Sequence, residues 1–397
     1  MNSINSKLPI ALILLLAACG RLAFMLVYPD VNFPDAVAYQ TIGNEIFSGQ
    51  VIKNHIYMPL YPIWTYIFEG KTVLILADIG ISIATVYLVY LLSLELFKNK
   101  VAALLSSLIS AFYPHFLFYA VTGLTETLYT FLLLATFLLF YKKHFFWAIL
   151  LSILSILVRP SLDLLNPILV VIFIYLVHGL PWKIVLKYLI IYCISYILLM
   201  SPWWVHQYQK YGEFVRLNLG DGIVLFSGNN PMNVTGGGVG RKDGTSDMDL
   251  SQFDYIKNPI RRNEAMKKEA LNYIASDIGH FIELAGIKFM RFWRLWPHTQ
   301  HYQQWYIIAA SLLSYGIVLF LAIGFIFRNS KRYFRMLTPI FALFGYLTLV
   351  HMITIGSIRY RFPLEPFLII FASYFFVDVF KKYEWLNWIK NKTLYSS

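Results

Sequence analysis

Two acids and three arginines have the types and placement to do chemistry. Asp35 lies in Pro34-Asp35-Ala36-Val37-Ala38-Tyr39, soon after an apolar run from Leu8 to Val27. Glu126 lies in Thr122-Gly123-Leu124-Thr125-Glu126-Thr127, where another apolar stretch begins. A carboxylate kept at the mouth of a membrane protein is costly there and is functional by default. Acid–base work needs two such groups approaching one cavity from different elements. One is ionised to take a proton from an acceptor hydroxyl, and the second orients it or tunes its pKa. The competing readings are structural. Asp35 also fits an N-cap for a following helix, and Glu126 fits a hydrogen bond to a neighbouring span.

The cations sit at comparable places. Arg159, in Val158-Arg159-Pro160-Ser161, ends an apolar stretch, and Arg359 and Arg361, in Ser357-Ile358-Arg359-Tyr360-Arg361-Phe362-Pro363, begin the last one. Guanidinium groups bind phosphate bidentately, and at this depth they would meet a lipid phosphate. Snorkelling to headgroups is the bland alternative. His55 precedes Met58-Pro59-Leu60-Tyr61-Pro62. There, two prolines three apart predict an extended or turn path that presents His55 and Tyr61 to a pocket. Tyr39 and Tyr61 also offer aromatic faces to a ligand in such a pocket.

These groups must be held by a bundle of membrane helices. The chain is 58% hydrophobic and 14% charged, far from the habits of soluble domains. Apolar runs predict about ten spans, near 8–27, 73–97, 101–119, 122–141, 145–158, 162–178, 184–205, 306–327, 336–355 and 362–380. The fold class is therefore all-α and polytopic. Short loops rich in Lys and Arg alternate with loops poor in them, which predicts both termini in the cytoplasm of a cytoplasmic (inner) membrane protein. Asp35 and the loop 206–305 then face outside. Three regions follow: 1–205, a transmembrane module carrying the first outer loop 28–72; 206–305, an outer helical loop; and 306–397, the last spans and a cytoplasmic tail.

Other features exclude more than they offer. The net charge of +12 is this topology signal plus attraction to anionic lipid headgroups, and no compact basic domain exists for a nucleic acid. The glycines at 236–240 lack the Gly-Lys-Ser/Thr ending of a nucleotide loop. Asp243, Asp247 and Asp249 read as a solvated loop, so no cofactor is expected and a divalent metal is not indicated. Asn233-Val234-Thr235 fits a glycosylation sequon. Leu16-Ala17-Ala18-Cys19 imitates a lipoprotein cleavage box, but the apolar run continues to Val27, as a full span should. Cys19 and Cys193 fall inside predicted spans and are expected to be unpaired.

Taken in order, these pieces resemble the membrane glycosyltransferases of the GT-C class, specifically bacterial members of glycosyltransferase family 39, related to protein O-mannosyltransferases and the aminoarabinose transferase of lipid A. The matching runs are Asp35-Ala36-Val37-Ala38-Tyr39, Met58-Pro59-Leu60-Tyr61-Pro62, Tyr113-Pro114 with Leu124-Thr125-Glu126, Arg159-Pro160, Lys288-Phe289-Met290-Arg291-Phe292-Trp293, and Arg359-Tyr360-Arg361-Phe362-Pro363-Leu364-Glu365-Pro366. The resemblance spans about the whole chain. It implies that Asp35 is the base and extends donor-phosphate binding to Arg159, Arg359 and Arg361. Several relatives carry a second acid directly after the first; here that position is Ala36.

The expected activity is transfer of a sugar from a polyprenyl-phosphate donor to a hydroxyl of a lipid, glycan or protein, with inversion. Membrane lipids are the other expected partners. The alternatives are a flippase or transporter of lipid-linked sugars and a surface-polysaccharide polymerase.

Overall fold

The computed structural model describes residues 4–28, 33–49, 56–238, 250–298 and 302–394, and every regular element among them is helical. His55 and the acids at 243, 247 and 249 lie outside the described residues. Helix α1 (Ile4–Val27) is followed by two short helices, α2 (Pro34–Phe47) and α3 (Leu60–Ile67), and by the long α4 (Lys71–Phe97). Next come α5 (Lys100–Phe112), α6 (Pro114–Tyr119), α7 (Thr125–Tyr141) and α8 (Phe145–Val158). Helix α9 (Leu165–Val171) runs on into a wider turn, Ile172–Val177, before α10 (Trp182–Tyr211). Helices α11 (Asp221–Gly228), α12 (Pro259–Ser276) and α13 (Ile278–Phe292) fill the loop region. The chain ends with α14 (Trp305–Ser311), α15 (Ile317–Ile353), α16 (Ile358–Arg361) and α17 (Glu365–Leu394).

Among the described residues, five segments are helices long and apolar enough to cross a bilayer: Leu8–Val27, Lys71–Phe97, Trp182–Tyr211, Trp305–Ile353 and Ile358–Lys381. Shorter apolar helices, including Lys100–Phe112, Thr125–Tyr141 and Phe145–Val158, pack among them. Leu8, Leu12, Leu15 and Leu22 of α1 stay exposed, as a lipid-facing stripe requires. The chain is a membrane protein. Cys19 and Cys193 are both free and exposed.

The structure corrects several boundaries. The span expected at 101–119 breaks at Tyr113, because a residue before proline is driven to extended geometry (φ −68°, ψ 123°). The helical part of the outer loop 206–305 breaks at Asp277, whose side chain caps α13 by accepting from His280 N. The Pro59/Pro62 run is helical after all. Pro59 is the N-cap residue of α3 and Pro62 lies in its first turn, where no backbone N–H is needed inside the helix. Gly43 lets α2 lie directly on α3, since a Cβ there would come within 2.5 Å of Pro62 O.

The spans expected at 306–327 and 336–355 form one unbroken helical stretch that nevertheless doubles back. Phe325 and Phe341 both reach the Phe371 ring, with centroids at 4.6 and 6.3 Å. Sixteen residues of straight helix would set them roughly 24 Å apart. Asn329 meets Asp378 beyond that level, and Tyr333 then returns to Tyr374. The reversal lies near Asn329–Tyr333, and the two arms bracket α17.

Polar groups buried between helices tie the bundle together. Arg21 of α1 donates to Ser82 Oγ (2.8 Å) and to the carbonyls of Ala17 (3.0 Å) and Ala111 (3.1 Å), joining α1, α4 and α5. Asp78 of α4 accepts from Tyr61 Oη (2.8 Å) and Trp64 Nε1 (3.0 Å), which pins α3 against α4.

Candidate active site

Each site residue is delivered by the end of a helix. Phe33 is extended and Pro34 takes the first helical position of α2, which leaves Asp35 in the first turn. Gly123 has φ +63°, a conformation glycine adopts freely, and it turns the chain so that Glu126 falls in the first turn of α7. Helix N-termini favour negative charge, so both acids sit where the backbone field suits them. Pro160 stops α8 and leaves Arg159 extended at its end (φ −145°, ψ 127°). Ser357 caps α16 by accepting from Arg359 N at 3.3 Å.

These four side chains meet. Arg359 Nη1 donates to Asp35 Oδ2 at 2.6 Å, while its Nε donates to Glu126 Oε1 and its Nη2 reaches Glu126 Oε2 at 3.4 Å. Arg159 Nη2 stands 2.9 Å from the same Glu126 Oε1. One guanidinium thus bridges two carboxylates, and one carboxylate gathers two guanidiniums. Glu126 is fully buried; Asp35, Arg159 and Arg359 keep some exposure. Asp35 does not cap its own helix, because its second oxygen accepts from Tyr57 Oη at 2.8 Å.

Burial by itself would raise the Asp35 carboxyl, but the Arg359 charge and the hydrogen bonds from Arg359 and Tyr57 outweigh it and hold the group below the ordinary carboxylate value. Burial and the Asp35 charge push the Tyr57 phenol up, so Tyr57 stays a donor. Tyr39 is buried beneath, edge-on to Tyr57 (4.8 Å) and Tyr61 (5.0 Å). Arg159 lies over Tyr360 at 5.6 Å and over Tyr129 at 6.0 Å.

Not every expected residue joins the cluster. Tyr61 is wholly buried on Asp78, a support behind the site rather than a face for a sugar. Arg361 is also buried and spends its donors elsewhere. Its Nε and Nη2 hold Glu365 Oε1 (3.0 and 2.9 Å), its Nη1 holds the carbonyls of Phe292 (3.0 Å) and Arg294 (2.6 Å), and Tyr315 lies 3.6 Å beneath it. Asn233 of the sequon is buried and folds its own turn, donating to Ser227 O and Gly237 O. Tyr57 escaped the sequence reading; its adjacency to the Met58-Pro59 run was the available signal. Among the described residues, no three His, Cys, Asp or Glu side chains converge as metal ligands would.

The fold is an all-helical, GT-C-like one. Solved structures that share it include those of the oligosaccharyltransferase AglB from Archaeoglobus fulgidus. One holds an inhibitory peptide and a dolichol-phosphate (TM-score 0.53, 13% identity over 96% of this chain and 52% of that one). Another is tethered to an acceptor peptide (TM-score 0.56, 14% identity over 94% and 50%). A third is the apo form (TM-score 0.55, 12% identity over 97% and 52%). The chain spans about half the length of these structures, and at such identity the likeness is one of fold. No protein-family model and no curated protein sequence matches the chain.

Proposed function

We propose that the chain is a membrane glycosyltransferase that moves a sugar from a polyprenyl-phosphate donor to a hydroxyl of a lipid, glycan or protein. The observation that carries this is the convergence of Asp35 and Glu126 on Arg359 within a fold like that of AglB. The complex of AglB with a dolichol-phosphate supports a donor of that kind. The alternation of basic loops supports an active site on the outer side of the cytoplasmic membrane, where nucleotide sugars are absent and a lipid-borne donor is required.

The acceptor oxygen attacks the anomeric carbon while its proton passes to the Asp35 carboxylate. The bond from that carbon to the donor phosphate oxygen breaks, and its electron pair leaves on the polyprenyl phosphate. A single displacement inverts the configuration. Arg359 and Arg159, fixed by Glu126, aim positive charge at the departing phosphate, the kind of preorganised stabilisation that dominates many enzymes. Arg359 also keeps Asp35 ionised but a weak base. A phosphate that draws Arg359 toward itself raises the proton affinity of Asp35 at the step that needs it.

The transporter reading finds its support in Arg21 and Asp78, charges buried within spans. Both are bound to neutral groups on neighbouring helices, which suits a structural tie. Mass spectrometry of envelope lipids, glycans and proteins tests the choice in a deletion strain complemented with wild type or Asp35→Asn at equal membrane abundance. A single sugar lost on deletion and restored only by wild type supports the transferase. Full restoration by Asp35→Asn removes Asp35 as the base and brings forward the transporter or a different catalytic site.

A further inference from the structure

The arginines of the candidate site are already matched by acids. Asp35 and Glu126 face Arg359 and Arg159, and Arg361 faces Glu365. Helix α13 is different. Lys288 and Arg291 stand three apart on its last turns, Arg294 follows three further on just beyond the helix end, and among the described residues the partners of all three are neutral. Lys288 Nζ donates to Asn229 Oδ1 (2.8 Å) and Ile353 O (3.1 Å). Arg291 Nε donates to Gly356 O (3.1 Å). Arg294 Nη1 meets His298 Nδ1 at 2.8 Å, and its guanidinium lies over Trp296 at 4.8 Å. Because Arg294 donates, His298 carries its proton on Nε2 and gives it to Arg291 O (3.2 Å). Among the described residues no carboxylate forms an ion pair with any of these three cations.

The field they create is felt nearby. Burial and the charge of Arg291, with Arg294 and Arg361 adding to it, pull His298 down to about 4. Burial and Arg294 lower Arg291 to about 10. The neighbouring loop brings only backbone against these cations. A Cβ on Gly237 would stand 2.7 Å from Arg291 Nη2, and one on Gly236 would stand 2.9 Å from Lys288 Cγ. Gly356 N anchors that loop by donating to Gly236 O at 3.0 Å. The end of α13 is itself tied to α16, which carries Arg359, through the bonds from Arg361 to the carbonyls of Phe292 and Arg294.

We propose that Arg291 and Arg294, at the end of α13 beside the glycine loop, form the seat for the phosphate of an isoprenoid-phosphate donor. This rests on the transferase reading and moves phosphate recognition off Arg361. Lys288 sits behind the seat and holds α13 to the loops. Arg359 and Arg159 then meet the phosphate oxygen that departs from the sugar, and Arg291 and Arg294 hold the other oxygens of the same phosphate.

The test uses the purified full chain in phosphatidylcholine nanodiscs, with farnesyl phosphate as probe and tryptophan fluorescence as readout; Trp293 and Trp296 flank the seat. Wild type is expected to bind farnesyl phosphate saturably, and farnesol is expected not to compete. Arg291→Gln/Arg294→Gln should weaken binding at least tenfold, while Arg291→Lys/Arg294→Lys should stay within threefold and show that the fold survives. Wild-type affinity in the Gln pair overturns the proposal. So does displacement of farnesyl phosphate from wild type by phosphatidylglycerol at equal mole fraction, which would mark a general headgroup contact. Asp35→Asn is expected to bind the probe normally and to fail in sugar transfer. If wild type binds farnesyl phosphate yet transfers no sugar, the transferase reading fails and the anion seat does not; sugar transfer by Asp35→Asn would remove only the role of Asp35 as the base.

Discussion

Arg359 and Arg361 stand two residues apart on one short helix, yet the structure treats them as different kinds of residue. The Arg359 side chain is 25% exposed and divides its donors between acids from two other elements. Arg361 is 1% exposed, and its carboxylate partner, Glu365, is one helical turn further along its own stretch of chain. Glu365 is closed off in turn by His115 Nδ1 at 2.7 Å. The first arrangement can open, because an incoming anion can compete for donors that already look onto a surface. The second is a sealed knot whose use is to fasten α6, the end of α13 and the turn carrying Tyr315 to the last helix. What separates them is how much of each guanidinium is left for anything other than the protein.

The sharpest way to break this contrast is to strike the sealed pair. Arg361→Leu should destabilise the protein by ~3–5 kcal/mol, because it strands a buried carboxylate, and membrane abundance should fall accordingly. Adding Glu365→Leu should recover much of that loss; thermal unfolding in detergent measures both. Asp35→Asn should do the reverse, leaving unfolding unchanged while transfer drops ~10³-fold, within the range for loss of a general base. Arg359→Gln should cost roughly 10²-fold in turnover, as losing one aimed donor does. Equal stability loss in Arg359→Gln and Arg361→Leu would erase the distinction.

The smallest and most diagnostic change is Tyr57→Phe, expected to slow transfer about fivefold. It should also move the acid limb of the pH profile. Asp35 is held below the ordinary carboxylate value of about 3.9, so activity should persist at neutral pH and vanish only as pH falls through that lowered value. Removing the Tyr57 donor weakens the ionised form and shifts the limb upward. A limb that stays in place would remove Tyr57 from the site.

Much of this was legible in the sequence, for reasons particular residues make plain. Asp35, Glu126, Arg159 and Arg359 are polar groups at the edges of apolar runs, and the cost of placing them there is readable from hydropathy alone. The same cost argument flagged Arg361, and there it misled, because hydropathy does not record that the carbonyls of Phe292 and Arg294 come to meet it. Pro62 was read as a helix breaker because its place in a first turn depends on where α3 begins. Asp78 went unremarked because its partners, Tyr61 and Trp64, become donors to it only once α3 folds onto α4. The reversal near Asn329–Tyr333 was visible as basic residues between apolar runs, although the backbone stays helical through it.

The bridge from Arg359 to Glu126 spans 233 positions of chain. At the usual pace of ~5–20 residues per second, Glu126 leaves the ribosome on the order of ten to fifty seconds before Arg359 exists. Through that interval the nascent chain carries a carboxylate whose final counter-charge has not been synthesised, with Arg159 as the earlier-made partner. Arg159 would thus act as an escort during biogenesis, and its loss should show first as poor insertion or quality-control degradation rather than as a slow enzyme.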